Sequence, residues 1–233
     1  MNSFEQEREL RKQQVAQGYR IFASYGWGDD GSGHISGRDP VHTDCFWLLG
    51  YDISFAAATP DDLVLVGPDG QVREGNGDIN PAAFCIHAPI HEARPDVIGA
   101  CHTHTAYGTP FAALMQPITA TSQEACAFHN DQALFDGEEL DVRNLQVGGR
   151  LAAALGPHRL VIMANHGLLT VGQTVAQSVG FFVLAERAAE VQIKAPTGRV
   201  ISAGAAASVY ESVGPADNGD SIFSWLVRSR LDR

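Results

Sequence analysis

Two histidines one residue apart, His102-Thr103-His104, close the apolar run Val97-Ile98-Gly99-Ala100-Cys101. If that run is a strand, side chains at i and i+2 leave the same face and both imidazoles project together. Two imidazoles converging from a strand end make half of a metal site. The competing reading puts one in solvent and the other, hydrogen-bonded, in the core. A third donor stands at His166, after a second apolar run, Arg159-Leu160-Val161-Ile162-Met163-Ala164. Gly167 behind it would let the backbone turn sharply past a bound ion. Three imidazoles with an open position describe a catalytic site, because structural zinc is closed by protein ligands. Neutral imidazole suits several divalent metals, so ligand type alone does not name this one. Zinc is the first candidate, with iron and manganese as alternatives. The bland alternative is three unrelated histidines at strand ends. His87 and His91 are a second pair at zinc-ligand spacing, one helical turn apart, but they lack the Glu of the His-Glu-x-x-His motif.

The elements that must position these residues follow from periodicity and punctuation. Phe4 to Tyr25 carries an apolar helical stripe through Leu10, Val15, Tyr19 and Phe22, with Gly26 at its end. The glycine-rich stretch from Gly26 to Arg38 turns into a short strand. It is either a plain tight connection or a cradle of backbone N–H groups for an anion. Phe46 to Leu49 and Leu63 to Val66 read as strands, and Pro68-Asp69-Gly70 turns the chain back antiparallel. Asn80-Pro81 starts a helix that ends at Arg94-Pro95. After the His-x-His strand, Tyr107 to Leu114 is a short helix and Glu124 to Phe128 is strand-like, leading to His129. Leu145 to Leu155 is helical and closed by Gly156. Thr174 to Lys194 is a long helix stopped by Pro196. From Gly204 the chain is rich in Ala, Ser and Gly; the stretch 201–233 reads as a tail, mobile or packed on a neighbouring chain.

Composition narrows the functions. The 233 residues fit one domain with a sizeable core. A formal charge of −11 argues against a nucleic-acid surface, which needs clustered Lys and Arg. No apolar run approaches the roughly 20 residues that span a bilayer, so no membrane partner is expected. The charged N-terminus lacks a signal peptide's apolar segment, and the chain reads as cytoplasmic. Cys45, Cys85, Cys101 and Cys126 are widely spaced and sit in apolar or mixed segments, as small hydrophobes rather than a disulfide framework.

The stretch from His87 through Pro89, His91, Arg94, Pro95 and Asp96, followed by His102-Thr103-His104, resembles the signature of the class II aldolase/adducin family. So does Asn165-His166-Gly167-Leu168 with the long helix containing Glu186. The resemblance runs from about Gln13 to Ile193. It implies an α/β fold, a three-layer α/β/α domain with a mostly antiparallel central sheet, over residues 1–200. It also implies that His102, His104 and His166 bind a divalent metal that takes two substrate oxygens and polarises a carbonyl. Assembly would be a cyclic homotetramer with active sites at subunit boundaries.

Three departures from sugar-phosphate aldolases of that family bear on the reaction. Their acidic residue near the start of the helix before the ligands corresponds to Ala83, and no carboxylate stands between Ile79 and His91. A neighbour-subunit tyrosine corresponds to the region of His129. The phosphate-binding loops match poorly. Retro-aldol cleavage needs a base within reach of a hydroxyl proton, whereas decarboxylation needs only a chelating metal, an electron sink and a later proton donor. The expectation is therefore a metal-dependent lyase, a decarboxylase of a small aromatic or keto/hydroxy acid. His129 or Tyr107 is the proton donor in this reading, and Glu124 is either a displaced base or a structural group. His34, Ser36 and Arg38 are the substrate-binding candidates. Two alternatives share the resemblance: a non-haem Fe(II) oxygenase of an aromatic keto acid, and a non-catalytic module like the adducin head.

Overall fold

The computed structural model describes residues 3–137 and 142–232. Helix α1 (Ser3–Ser24) leads into β1 (Gly33–Arg38), β2 (Phe46–Leu49), β3 (Leu63–Val66) and β4 (Val72–Glu74). Then come α2 (Pro81–Ala93), β5 (Gly99–Thr103), α3 (Gly108–Ala112) and β6 (Gln132–Phe135). The chain continues through α4 (Leu145–Leu155), β7 (Leu160–Met163), β8 (Gly167–Gly172) and α5 (Val175–Lys194), and finishes with α6 (Ala203–Val213) and α7 (Ala216–Leu226). The strands form one eight-stranded sheet in the order β4-β3-β2-β1-β5-β8-β7-β6. Among the described strands, only β6 and β7 pair in parallel. This is the three-layer α/β/α architecture expected from the resemblance.

Alternation along each strand sorts the side chains between two apolar layers. Ile35, Cys101, Leu160, Ile162 and Leu168 pack with Val15 and Phe22 of α1 and Val179 and Phe182 of α5. Ala100, Val161, Met163, Leu169 and Val171 pack on the opposite face with Ile86 and Ile90 of α2 and Val147 and Leu151 of α4. Helix starts are set by short polar caps. The side chains of Asn80, Asn144 and Thr174 accept from the backbone N–H of Ala82, Val147 and Gln177. Pro89 lies inside α2 and carries no N–H, so the Cys85 carbonyl four residues earlier loses its helical partner. There α4 crosses α2 with Gly148 at the contact, where any Cβ would collide with that carbonyl.

Three stretches differ from the sequence reading. Glu124–Phe128 is a 3₁₀ helix, not a strand. All of Ala125 to Phe128 is buried, between α5 and α6, so neither face alternates with solvent. The strand in this region is β6, whose residues are mostly half-buried or exposed and give no apolar signal. The described chain beyond residue 201 forms α6 and α7, followed by a short π-helical stretch over Val227–Leu231. Phe223 and Leu226 of α7 are buried in the same apolar cluster as α1 and α5, and α7 lies along α5.

Candidate metal centre

Strand register brings the histidines together. His102, one residue before the end of β5, lies directly opposite His34 of β1 and Leu169 of β8. His166 sits in the turn between β7 and β8, reached through Asn165 in a left-handed conformation (φ 52°), which Asn tolerates better than most residues. His104 lies just past the strand, exposed. One ring nitrogen from each of His102, His104 and His166 lies within 4.8 Å of the other two. The His102 ring centroid is 4.7 Å from that of His166 and 5.3 Å from that of His104. The Nδ1–H of His102 donates to the Leu168 carbonyl at 2.8 Å, which leaves Nε2 as the bare donor atom. Burial, reinforced by His166 and His34, holds the His102 pKa well below its ordinary value, so the lone pair stays available. A buried edge, an exposed mouth and three imidazoles suit a metal with open coordination positions.

The glycine-rich loop fixes one wall. Gly33 (φ 128°) starts β1 where a Cβ would meet the Thr103 side chain, and Thr103 Oγ1 donates to the Ser32 carbonyl at 2.6 Å. On the other side Glu186 holds the chain after His104. Its carboxylate accepts from Thr105 Oγ1 (2.6 Å) and from the backbone N–H of Tyr107 (3.0 Å) and Gly108 (2.7 Å). Burial pushes its pKa up, against the pull of those three donors. Glu186 was visible in sequence only as part of a long helix, because its partners lie some 80 positions away.

The remaining candidates fall in different places. His34 stands beside the cluster, its ring centroid 5.1 Å from that of His102. Ser36 lies beneath, hydrogen-bonded to His87 and His91. Those two histidines, spaced like zinc ligands, are buried between α2 and β1 and do not join the triad. Arg38 gives its guanidinium to the backbone carbonyls of Val97, Thr43, His91 and Arg94. It thus closes the C-terminus of α2. Tyr107 follows His104 closely, half-buried, with the Lys194 ammonium 4.9 Å from its ring. His129 precedes Asp131, which pairs with Arg159 at the start of β7. That is the opposite end of the parallel β6–β7 pair from His166. Glu124 begins the 3₁₀ helix that ends beside His129. Ala83 is buried among Phe46, Leu48, Val64 and Val66. No carboxylate belongs to the cluster among the described residues.

A mixed sheet covered on both faces, with three histidines gathered at the ends of its central strands, defines an α/β protein of the aldolase type. Residues 13–193 match the Class II Aldolase and Adducin N-terminal domain. The chain belongs to that family. It is 37% identical over 196 residues to "Decarboxylase NovR" of Streptomyces niveus, covering 83% of this chain and 73% of that protein. It is 36% identical to the 4-hydroxy-3-prenylphenylpyruvate oxygenase/4-hydroxy-3-prenylbenzoate synthase of Streptomyces roseochromogenus subsp. oscitans, covering 83% and 71%. Among solved structures it is similar to L-fuculose 1-phosphate aldolase from Glaciozyma antarctica PI12, with a TM-score of 0.88, 32% identity and coverage of 100% and 94%. No helix among the described residues is long and apolar enough to cross a membrane.

Proposed function

We propose that this protein is a divalent-metal-dependent carbon–carbon lyase, a decarboxylase of a small aromatic or keto/hydroxy acid. The observation that carries the reading is the three-histidine cluster, which no carboxylate joins among the described residues, with apolar Ala83 where the aldolases place their acid. A divalent metal held there would supply the charge that chelates the acid and stabilises the negative charge left when the carbon–carbon bond breaks. The protein's own part is positional. Leu168 fixes the His102 ring through Nδ1, and Glu186 holds the segment that follows His104. Tyr107, the nearer proton-donor candidate, follows the triad's His104 at the same end of the sheet, although it packs on the α1/α5 layer. His129, at the other end of its own sheet, could serve only a neighbouring subunit's site, so its role is tied to a homo-oligomer, a tetramer in this reading. The 37% relative named as a decarboxylase and the aldolase-like fold support the lyase class.

One finding favours a second reading. The relative named as an oxygenase is nearly as similar as the one named as a decarboxylase, and three neutral imidazoles also suit Fe(II). The two are separated by incubating protein reconstituted with zinc, manganese or Fe(II) with a panel of aromatic and aliphatic keto and hydroxy acids. CO₂ release without oxygen supports the decarboxylase. Turnover that requires Fe(II) and consumes oxygen supports the oxygenase and overturns the lyase.

A further inference from the structure

Behind the three-histidine cluster runs a buried chain of hydrogen bonds that the metal chemistry does not use. His34 Nδ1 lies 2.5 Å from His87 Nε2, and His87 Nδ1 lies 2.6 Å from Ser36 Oγ. Ser36 Oγ lies 2.8 Å from His91 Nε2, and His91 Nδ1 lies 3.3 Å from the Val97 carbonyl. His34, Ser36, His87 and His91 are all at most 4% exposed.

The far end of this chain sets its polarity. A carbonyl only accepts, so His91 carries its proton on Nδ1 and its Nε2 accepts from the Ser36 hydroxyl. The Ser36 oxygen then accepts from His87 Nδ1–H. His87 Nε2 is left bare and accepts from His34 Nδ1–H. The last atom, His34 Nε2, therefore carries no proton, and no hydrogen bond among the described residues uses it. Burial supports this neutral assignment, since it disfavours an imidazolium at His87 and His91.

We propose that His34 presents a bare Nε2 to the ligand at the three-histidine site and accepts a hydrogen bond from a ligand hydroxyl. Ser36, His87 and His91 are positioning residues that lock its tautomer. The inference rests on the reading of that site as a metal-dependent one, and it narrows the ligand class. A bare nitrogen repels a carboxylate or ketone oxygen and attracts an O–H, so a hydroxy acid is preferred over the keto acid of the same skeleton. His34 thereby offers a hydrogen-bonding partner in a site that lacks the acid of the sugar-phosphate aldolases.

The test reads the tautomer directly. Protein labelled with ¹⁵N-histidine is examined by long-range ¹H–¹⁵N correlation, with the His34 signals assigned by their loss in His34→Gln. The expected result is Nδ1–H, Nε2-bare rings at His34, His87 and His91, and a mixture of tautomers at His34 in Ser36→Ala. An Nε2–H ring or an imidazolium at His34 overturns the proposal. The second measurement is calorimetric binding of mandelate and benzoylformate to the zinc-loaded protein. Mandelate is expected to bind roughly three- to tenfold more tightly, with the preference lost in His34→Gln. Equal binding, stronger binding of benzoylformate, or binding of neither overturns the hydroxyl assignment. Wild-type protein that takes up no metal overturns the proposed function and leaves the tautomer result standing. A wrong tautomer in a protein that does bind zinc overturns this inference alone.

Discussion

Glu186, in the middle of α5, accepts a hydrogen bond from the Thr105 hydroxyl at 2.6 Å. That single contact ties α5 to the residue that follows His104. The same carboxylate takes the N–H groups of Tyr107 and Gly108, so one side chain satisfies three donors where the chain leaves the sheet. Truncation would leave buried donors unpaired, at about 1–3 kcal/mol each. Glu186→Ala is expected to lower stability by roughly 3–4 kcal/mol in urea denaturation, the low end of that sum. It is also expected to weaken metal binding about tenfold or more, because His104 loses its support. Unchanged metal affinity in a folded Glu186→Ala protein would separate this contact from the site.

Arg38 is legible in sequence as a charge after a glycine loop, and so as a partner for a substrate acid. Its guanidinium instead meets four backbone carbonyls, three of them at or beyond the end of α2. Arg38→Met is expected to cost about 2–3 kcal/mol of stability, the scale of charged hydrogen bonds. Isothermal titration with zinc should give the wild-type stoichiometry. Loss of zinc binding with stability intact would show that Arg38 acts on the site and not on the helix end.

The buried histidines make the fold sensitive to acid. Burial, with Arg38 nearby, lowers the His91 pKa to about 3, against about 6.5 in an unfolded chain. A group depressed in the folded state contributes stability that is complete above the unfolded pKa. The contribution fades as pH falls from about 6.5 towards the folded value. Between about pH 6.5 and pH 4.5, His91 alone would withdraw roughly 2–3 kcal/mol at about 1.4 kcal/mol per pH unit. His87, shifted in the same direction mainly by burial, adds to the loss. Urea midpoints measured across this range should fall steeply in the wild type and less steeply in His91→Phe. Equal slopes in the two would contradict the assignment.

The parts of this molecule that were legible in its sequence are those written in local pattern. His102, His104 and His166 stood out because each follows an apolar run, and the sheet brings those run ends together. The caps Asn80-Pro81 and Gly156 marked helix ends through backbone chemistry that acts within a few residues. What escaped depends on long-range contact. The Ala-Cys-Ala core of Glu124–Phe128 fits a strand or a helical turn equally, and burial on all sides between α5 and α6 decided for the turn. Strand β6 was silent because an edge strand need not be apolar. His87 and His91 have zinc-ligand spacing, yet α2 turns both toward Ser36 and His34, beneath the triad. Spacing alone could not reveal which neighbour they would meet.

The central claim is that His102, His104 and His166 hold a divalent metal. Elemental mass spectrometry of freshly purified protein, set beside a His102→Ala/His166→Ala variant, tests it most directly. About one metal per chain in the wild type and near none in the folded double variant is the expected result. A wild type that stays empty when offered zinc, manganese and Fe(II) in turn, or a double variant that keeps its metal, would contradict it.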